Sequence, residues 1–174
     1  MDAAEGGMRT FAFSLGAVLL AWAMLPVGWI DAIRDPQTIK VIDGDSLELN
    51  GRRIRLYGID APELTQWCED ERRQPYRCGL EAKRGLYDLV AEQRLTCVTV
   101  KQDQYGRDLS ICKTRSGFDI AGAQVLNGYA VAYGRYTNQY RDEQAKAKEA
   151  RRGIWRGPFE IPEQFRHKKT SPTV

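Results

Sequence analysis

Val41-Ile42-Asp43-Gly44-Asp45-Ser46-Leu47-Glu48-Leu49-Asn50-Gly51-Arg52-Arg53-Ile54-Arg55-Leu56-Tyr57-Gly58-Ile59-Asp60-Ala61-Pro62-Glu63 is the stretch whose reading decides the fold of this 174-residue chain. Leu47 and Leu49 alternate with polar residues, the period of a strand with one buried face. Asn50-Gly51 suits a type I′ turn, because both residues tolerate positive φ. Beyond it Ile54 and Leu56 share one face, and Arg53, Arg55 and Tyr57 the other. Ile39 and Val41 repeat the alternation upstream. Three strands are therefore expected, Thr38–Asp43, Ser46–Asn50 and Arg52–Tyr57. The chain leaves the third over Gly58–Glu63, where Pro62 blocks further ladder pairing.

Working outward, residues 64–77 are polar and loop-like. Gly79–Arg94 has helical period, with Ala82, Leu86, Leu89 and Val90 in one stripe. Strands follow at Leu95–Lys101 and Leu109–Lys113 around a loop at Tyr105-Gly106. Asp119 can cap a short helix that stops near Asn127 at Gly128. A charged helix over about 139–151, capped by Thr137 or Asn138, ends at Gly153. The expected fold is α+β, mainly β. Five strands with a helix between the third and fourth suit an OB-type β-barrel with three helices over residues 38–160. Residues 161–174 read as a polar C-terminal tail, mobile from Gln164.

The N-terminus is of another kind. Phe11 to Ile30 carries no charge. A run of that length can span a bilayer as a helix. It can equally be a secretory signal, with a hydrophobic region Phe11–Leu20 and a small-residue site Ala21-Trp22-Ala23. Residues 1–30 are thus read as a signal peptide or an N-terminal hydrophobic anchor helix, followed by a linker at 31–37. Either route exports the remainder, as a secreted, periplasmic or outward-facing anchored protein. Membrane contact is expected only through residues 11–30, if they are retained, and the domain is expected to be a monomer.

Export makes disulfides the default for Cys68, Cys78, Cys97 and Cys112. Cys68 and Cys78 bracket a polar loop. If Lys101 faces Asp108 across the hairpin, Cys97 faces Cys112 directly, close enough to bridge. The pairs Cys68–Cys78 and Cys97–Cys112 are therefore favoured. A zinc site built from all four is the alternative, and no closely spaced cysteine pair supports it.

The chain holds 26 Lys and Arg against 23 Asp and Glu, a net charge of +3, and a single histidine, His167. A histidine-based triad would have to run through a charged tail, and a zinc site with two histidines is excluded. Any catalysis rests on carboxylates, arginines, tyrosines, backbone groups or a hard metal ion. Three segments offer these. Asp43-Gly44-Asp45 is by itself a turn dipeptide with flanking acids, or a source of carboxylate for an oxygen-preferring cation. Asp60 and Glu63 are by themselves solvated loop charges, or further members of the same acidic site. Asp103-Gln104-Tyr105-Gly106-Arg107 is by itself a hairpin loop, or an arginine fork offered to a phosphate.

In order and spacing these segments resemble the staphylococcal (micrococcal) nuclease, or thermonuclease, family. The resemblance covers about residues 38–156. It is carried by Ile42-Asp43-Gly44-Asp45-Ser46-Leu47, Arg55-Leu56, Asp60-Ala61-Pro62-Glu63, Gly79 to Ala82, Asp103 to Arg107, Gly128-Tyr129-Ala130 and Gly153-Ile154-Trp155. It implies an OB-type barrel that cleaves DNA and RNA with Ca²⁺. It implies Asp45, Asp60 and the Ala61 backbone carbonyl as calcium ligands, with Asp43 beside them. It implies Glu63 as general base, and Arg55 and Arg107 as the arginines on the scissile phosphate. In-line attack would break the 5′-side P–O bond and leave 3′-phosphate ends. Tyr105 and Tyr136 match tyrosines near the nucleotide pocket, where an aromatic ring can stack on a base. They can equally be packing residues of the barrel rim, and for Tyr133 and Tyr140 packing is favoured. Ser46 stands for a common threonine, and Gln104 for a lysine found in some members.

The chemistry suits those roles. Phosphodiester hydrolysis builds negative charge on the phosphoryl oxygens, which guanidiniums and a divalent ion stabilise. The expected partner is a nucleic acid. The alternative is a catalytically silent OB-type module that binds nucleic acid or protein in the cell envelope.

Overall fold

The computed structural model describes residues 36–135 and 137–170. The chain divides into two units, Met1–Pro36 and Gln37–Val174, and every element below belongs to the second. The apolar run Phe11–Ile30 and the expected N-terminal helix lie outside the described residues, as does Tyr136. Among the described residues no helix is long and apolar enough to cross a membrane.

The first three strands form where the alternation places them, as β1 Ile39–Val41, β2 Ser46–Leu49 and β3 Arg52–Leu56. Asn50 and Gly51 turn the β2–β3 hairpin with φ of 50° and 80°, the left-handed pair that a type I′ turn needs. Short β4 follows at Ile59–Asp60. Within the polar loop, β5 Cys68–Glu69 and β6 Pro75–Tyr76 pair with each other. Helix α1 spans Cys78–Val90 and buries Ala82, Leu86 and Val90. Strands β7 Leu95–Gln102 and β8 Asp108–Thr114 form the second long hairpin. Then come α2 Ile120–Leu126, with the Asp119 side chain accepting from the Gly122 N–H, and β9 Val131–Ala132. Helix α3 Arg141–Glu149, a 3₁₀ turn Gly153–Arg156 and helix α4 Pro162–Thr170 complete the chain.

The five long strands make one mixed sheet in the order β1-β2-β3-β8-β7, antiparallel except for the parallel β3–β8 pair. The expected closed barrel is not formed. After Leu56 the chain turns away through Gly58, and β4 pairs with β9 in a separate ladder, so no backbone ladder joins β1 to β7 among the described residues. A side chain stands in for it. Gln37 donates from Nε2 to the Leu95 carbonyl at 2.9 Å and accepts from the Leu95 N–H at Oε1, 2.8 Å. One amide thus links the start of β1 to the start of β7.

The core lies between the sheet and α1 and α2, where Leu47, Leu56, Ile59, Leu86, Ile120 and Val125 are fully buried. Each such burial contributes ~1.5–3 kcal/mol. A second apolar cluster gathers Cys68, Cys78, Val131 and Ile154, with Trp155 and Phe159 packed on it. Cys68 is bonded to Cys78 and Cys97 to Cys112. The register behind the second pair differs from the one expected. A bulge between Thr99 and Lys101 makes Lys101 face Leu109, and Asp108 faces Gln102. The cysteines lie on the near side of the bulge, so Cys97 still faces Cys112.

The structure also has a fourth helix where a mobile polar tail was expected. Proline at its first position lacks the N–H that would go unused there. Polar contacts hold it down. The Tyr133 hydroxyl donates to Glu163 at 2.9 Å, Arg135 pairs with Glu163, and Lys168 with Glu160. Pro162 is buried, and Glu163, Phe165 and Arg166 are half-buried.

Candidate active site

The turn between β1 and β2 is built by its own acids. The Asp43 carboxylate accepts from the Asp45 N–H at 3.1 Å, and the Ser46 hydroxyl donates to Asp45 Oδ1 at 2.9 Å. Gly44 sits so close to Ala61 and Ala82 that a Cβ on it would lie 2.7 Å from each of their Cβ atoms. The buried Gln124 amide donates to the Gly44 carbonyl at 2.6 Å. These contacts press the turn against the start of the Asp60–Glu63 segment, and the Ala61 N–H donates to Asp45 Oδ2 at 2.9 Å.

Arg55, on the strand face opposite Ile54 and Leu56, joins the two segments. Its Nη1 donates to Asp45 Oδ1 at 2.8 Å and its Nη2 to Asp60 Oδ1 at 2.7 Å. Asp45 and Asp60 are both buried. Burial pushes the Asp60 carboxyl up, and the hydrogen bonds from Arg166 only partly oppose it. Burial, and then the charge of Asp45, raise Asp43 to about 6. Burial disfavours the Arg55 cation, but the two carboxylates outweigh it and its pKa rises. Arg55 therefore stays charged.

Glu63 is placed by its backbone. Gln66 accepts from the Glu63 N–H at Oε1 and donates from Nε2 to the Glu160 carbonyl, while the Gln66 N–H donates to the Glu63 carbonyl at 2.7 Å. The same carbonyl lies against Gly79 at the start of α1. Across the site Asp103 organises the β7–β8 loop. One oxygen accepts from the Tyr105 and Arg107 N–H groups, and the other from Arg107 Nε at 2.7 Å. Burial raises the Asp103 carboxyl, but these bonds outweigh it and hold it below the ordinary range. Arg107 also stacks near Tyr105, 5.6 Å from the ring centre.

One open cavity of ≈ 640 Å³ collects these groups. Asp43, Arg55, Glu63, Tyr105 and Arg107 line it, as do Tyr133, Glu163, Arg166 and His167. Asp45, Asp60 and Ala61 lie buried behind its wall, tied to it through Arg55 and Asp45. Tyr105 is 73% exposed, a ring open to solvent. Sequence reasoning missed Arg166, Glu163 and a site position for Tyr133, and it gave His167 no role. Arg166 donates from Nη1 and Nη2 to the two oxygens of Asp60 at 2.9 and 3.0 Å, and from Nη1 to Glu63 Oε1 at 2.9 Å. The available signal was Pro162-Glu163 ahead of a charged run, a helix start. Nothing local says where that helix docks.

The donor chemistry suits a hard cation, with buried carboxylate oxygens from two segments cross-linked by one guanidinium. As placed, those oxygens already serve guanidinium and backbone donors. Among the described residues no three acidic, histidine or cysteine side chains converge as a metal-binding group.

The fold is an open sheet flanked by helices, with paired carboxylates and arginines around an open cavity. Residues 53–157 match the family described as staphylococcal nuclease homologue, and the chain belongs to that family. It is 37% identical over 148 residues to a succinoglycan biosynthesis protein, ExoI, of Rhizobium meliloti (strain 1021), covering 82% of this chain and 75% of that protein. It is 31% identical over 156 residues to "Probable endonuclease LCL3" of Leptosphaeria maculans, covering 83% of this chain and 47% of that one. An "Uncharacterized endonuclease" of Escherichia coli is 29% identical over 140 residues, covering 76% of this chain and 85% of its own length.

Proposed function

We propose that the chain is an exported, calcium-dependent nuclease that hydrolyses phosphodiester bonds of DNA, RNA or both. One observation carries the reading: Arg55, Arg107 and Glu63 converge on one open cavity from three separate segments. In this reading Glu63 takes the proton of the attacking water as general base. Arg55 and Arg107 donate to the non-bridging phosphate oxygens, where charge grows in the transition state. Asp103 engages the Nε edge of Arg107, and the terminal guanidinium nitrogens are the donors left for phosphate. Tyr105 offers a ring to a neighbouring base. Tyr136 has the same proposed role and lies outside the described residues.

Calcium is the proposed cofactor, with Asp45, Asp60 and the Ala61 carbonyl to hold it and Asp43 adjacent. Bound there, it would add positive charge against the developing phosphate charge. The endonuclease names of two relatives support the substrate class. The relative named for succinoglycan biosynthesis does not carry a nuclease name, and the second reading is a catalytically silent module that binds nucleic acid or protein in the cell envelope.

The test is a cleavage assay on single-stranded DNA, duplex DNA and RNA, in calcium and in chelator. Calcium-dependent cleavage is expected. A folded protein that cleaves none of the three would overturn the nuclease reading in favour of the binding module.

A further inference from the structure

Arg166 lies where the site's own logic calls for a cation. Asp60 is 0% exposed and spends both oxygens on this one guanidinium, with Oδ1 shared with Arg55. Glu63 gives Oε1 to the same group. The Arg166 side chain is 35% exposed against 14% for Arg55, so it lies toward solvent while Arg55 lies within. Its carrier, α4, buries Pro162 and half-buries Glu163, Phe165 and Arg166, while Glu163 pairs with Arg135 and Lys168 with Glu160. Ion pairs with so exposed a partner are individually weak. Asp60 Oδ1 accepts from two guanidiniums and Oδ2 from one, so three of about four lone-pair sites are taken and a divalent ion there competes with Arg166.

We propose that Arg166 is a tethered competitor for the cation: α4 holds its guanidinium on Asp60 and Glu63, and cation binding displaces it and frees Glu63. The proposal rests on the cation reading of the site given above. It makes the C-terminal helix a gate, with an open form that the ion selects. The ion's apparent affinity is then its intrinsic affinity reduced by the fraction of molecules that are open.

The experiment is calorimetric titration of the full chain with calcium chloride, for wild type, R166Q, R166K and E163Q. Each protein is first shown to be folded by circular dichroism. R166Q removes the competitor, R166K keeps charge without the bidentate fork, and E163Q loosens α4 without touching Asp60. Expected is calcium binding about tenfold or more tighter in R166Q, with R166K and E163Q between it and wild type. Hydrogen exchange across residues 162–170 should quicken in wild type when calcium is added. Equal or weaker calcium binding in R166Q overturns the competitor, as does exchange in α4 that calcium leaves unchanged. No calcium binding by any of the four overturns the cation reading, and the competitor with it.

Discussion

The carbonyl oxygen of Glu63 occupies the space that a side chain on Gly79 would need: a Cβ built there would lie 1.8 Å from that oxygen and 2.5 Å from its carbon. Both partners are backbone, so no rotamer change relieves the clash. Gly79→Ala should push the Glu63 segment off the start of α1. The expected loss is about 2–4 kcal/mol of stability, with a lower melting temperature and weaker cleavage together. A thermal melt checks it, and an unchanged melt would show that the segment can shift freely.

Glu63→Gln keeps the side chain's shape and removes its basicity. Cleavage should fall by about 10²–10⁴-fold, while melting changes little because the Glu63–Arg166 pair is partly exposed and such pairs contribute ~0–1 kcal/mol. Arg107→Ala should cost on the order of 10²–10³-fold in rate. Single-turnover assays at saturating calcium read both. Full activity in Glu63→Gln removes it as the base.

Asp43 gives the site a pH signature in chelator. Burial and Asp45 hold its carboxyl at about 6 in the folded chain, against an ordinary value of 3.8. The folded state thus binds this proton more tightly than the unfolded one. Its contribution to stability is full below about pH 4 and is lost as the pH rises through about 6. Asp43→Asn removes the titrating group and the like charge beside Asp45. The variant should gain on wild type across that window and exceed it by about 1–3 kcal/mol at neutral pH. Urea unfolding between about pH 4 and 7 measures the difference. A difference that does not vary with pH would contradict the shift.

Gln37→Leu should open the gap between β1 and β7. It deletes both hydrogen bonds to Leu95, whose backbone groups then lack these partners beside a buried side chain. The expected cost is about 1–3 kcal/mol. Amide exchange at Leu95 should quicken, while the β2–β3 hairpin stays protected. Equal exchange at Leu95 would show that another contact joins the two edges.

What was legible in the sequence was local. Asn50-Gly51 announces its turn because the two residues themselves tolerate the backbone angles needed. Asp119 announces a helix start because its own side chain reaches the third residue on. The groups of the candidate site could be named because they cluster in short segments. Closure of the barrel was not legible, since it depends on whether β4 pairs with the main sheet or with β9, more than seventy residues away. Arg166 was not legible either, because its meaning comes from Asp60, at a sequence separation of 106. The one-position register shift at the tip of the long hairpin was not legible, because a bulge leaves no mark in the pattern of Val98, Val100 and their neighbours.

That bulge separates the hairpin into two mechanically different halves. Toward the base, the Cys97–Cys112 bond clamps the two strands across from each other. Toward the tip, the extra residue lets the ladder slip by one position before the loop that carries Tyr105 and Arg107. An insertion or deletion on the tip side would be absorbed there, moving the arginine relative to the opposite wall while the core beneath keeps its alignment. The hairpin thus joins a covalently clamped base to a bulged tip, and it is the tip that carries Tyr105 and Arg107.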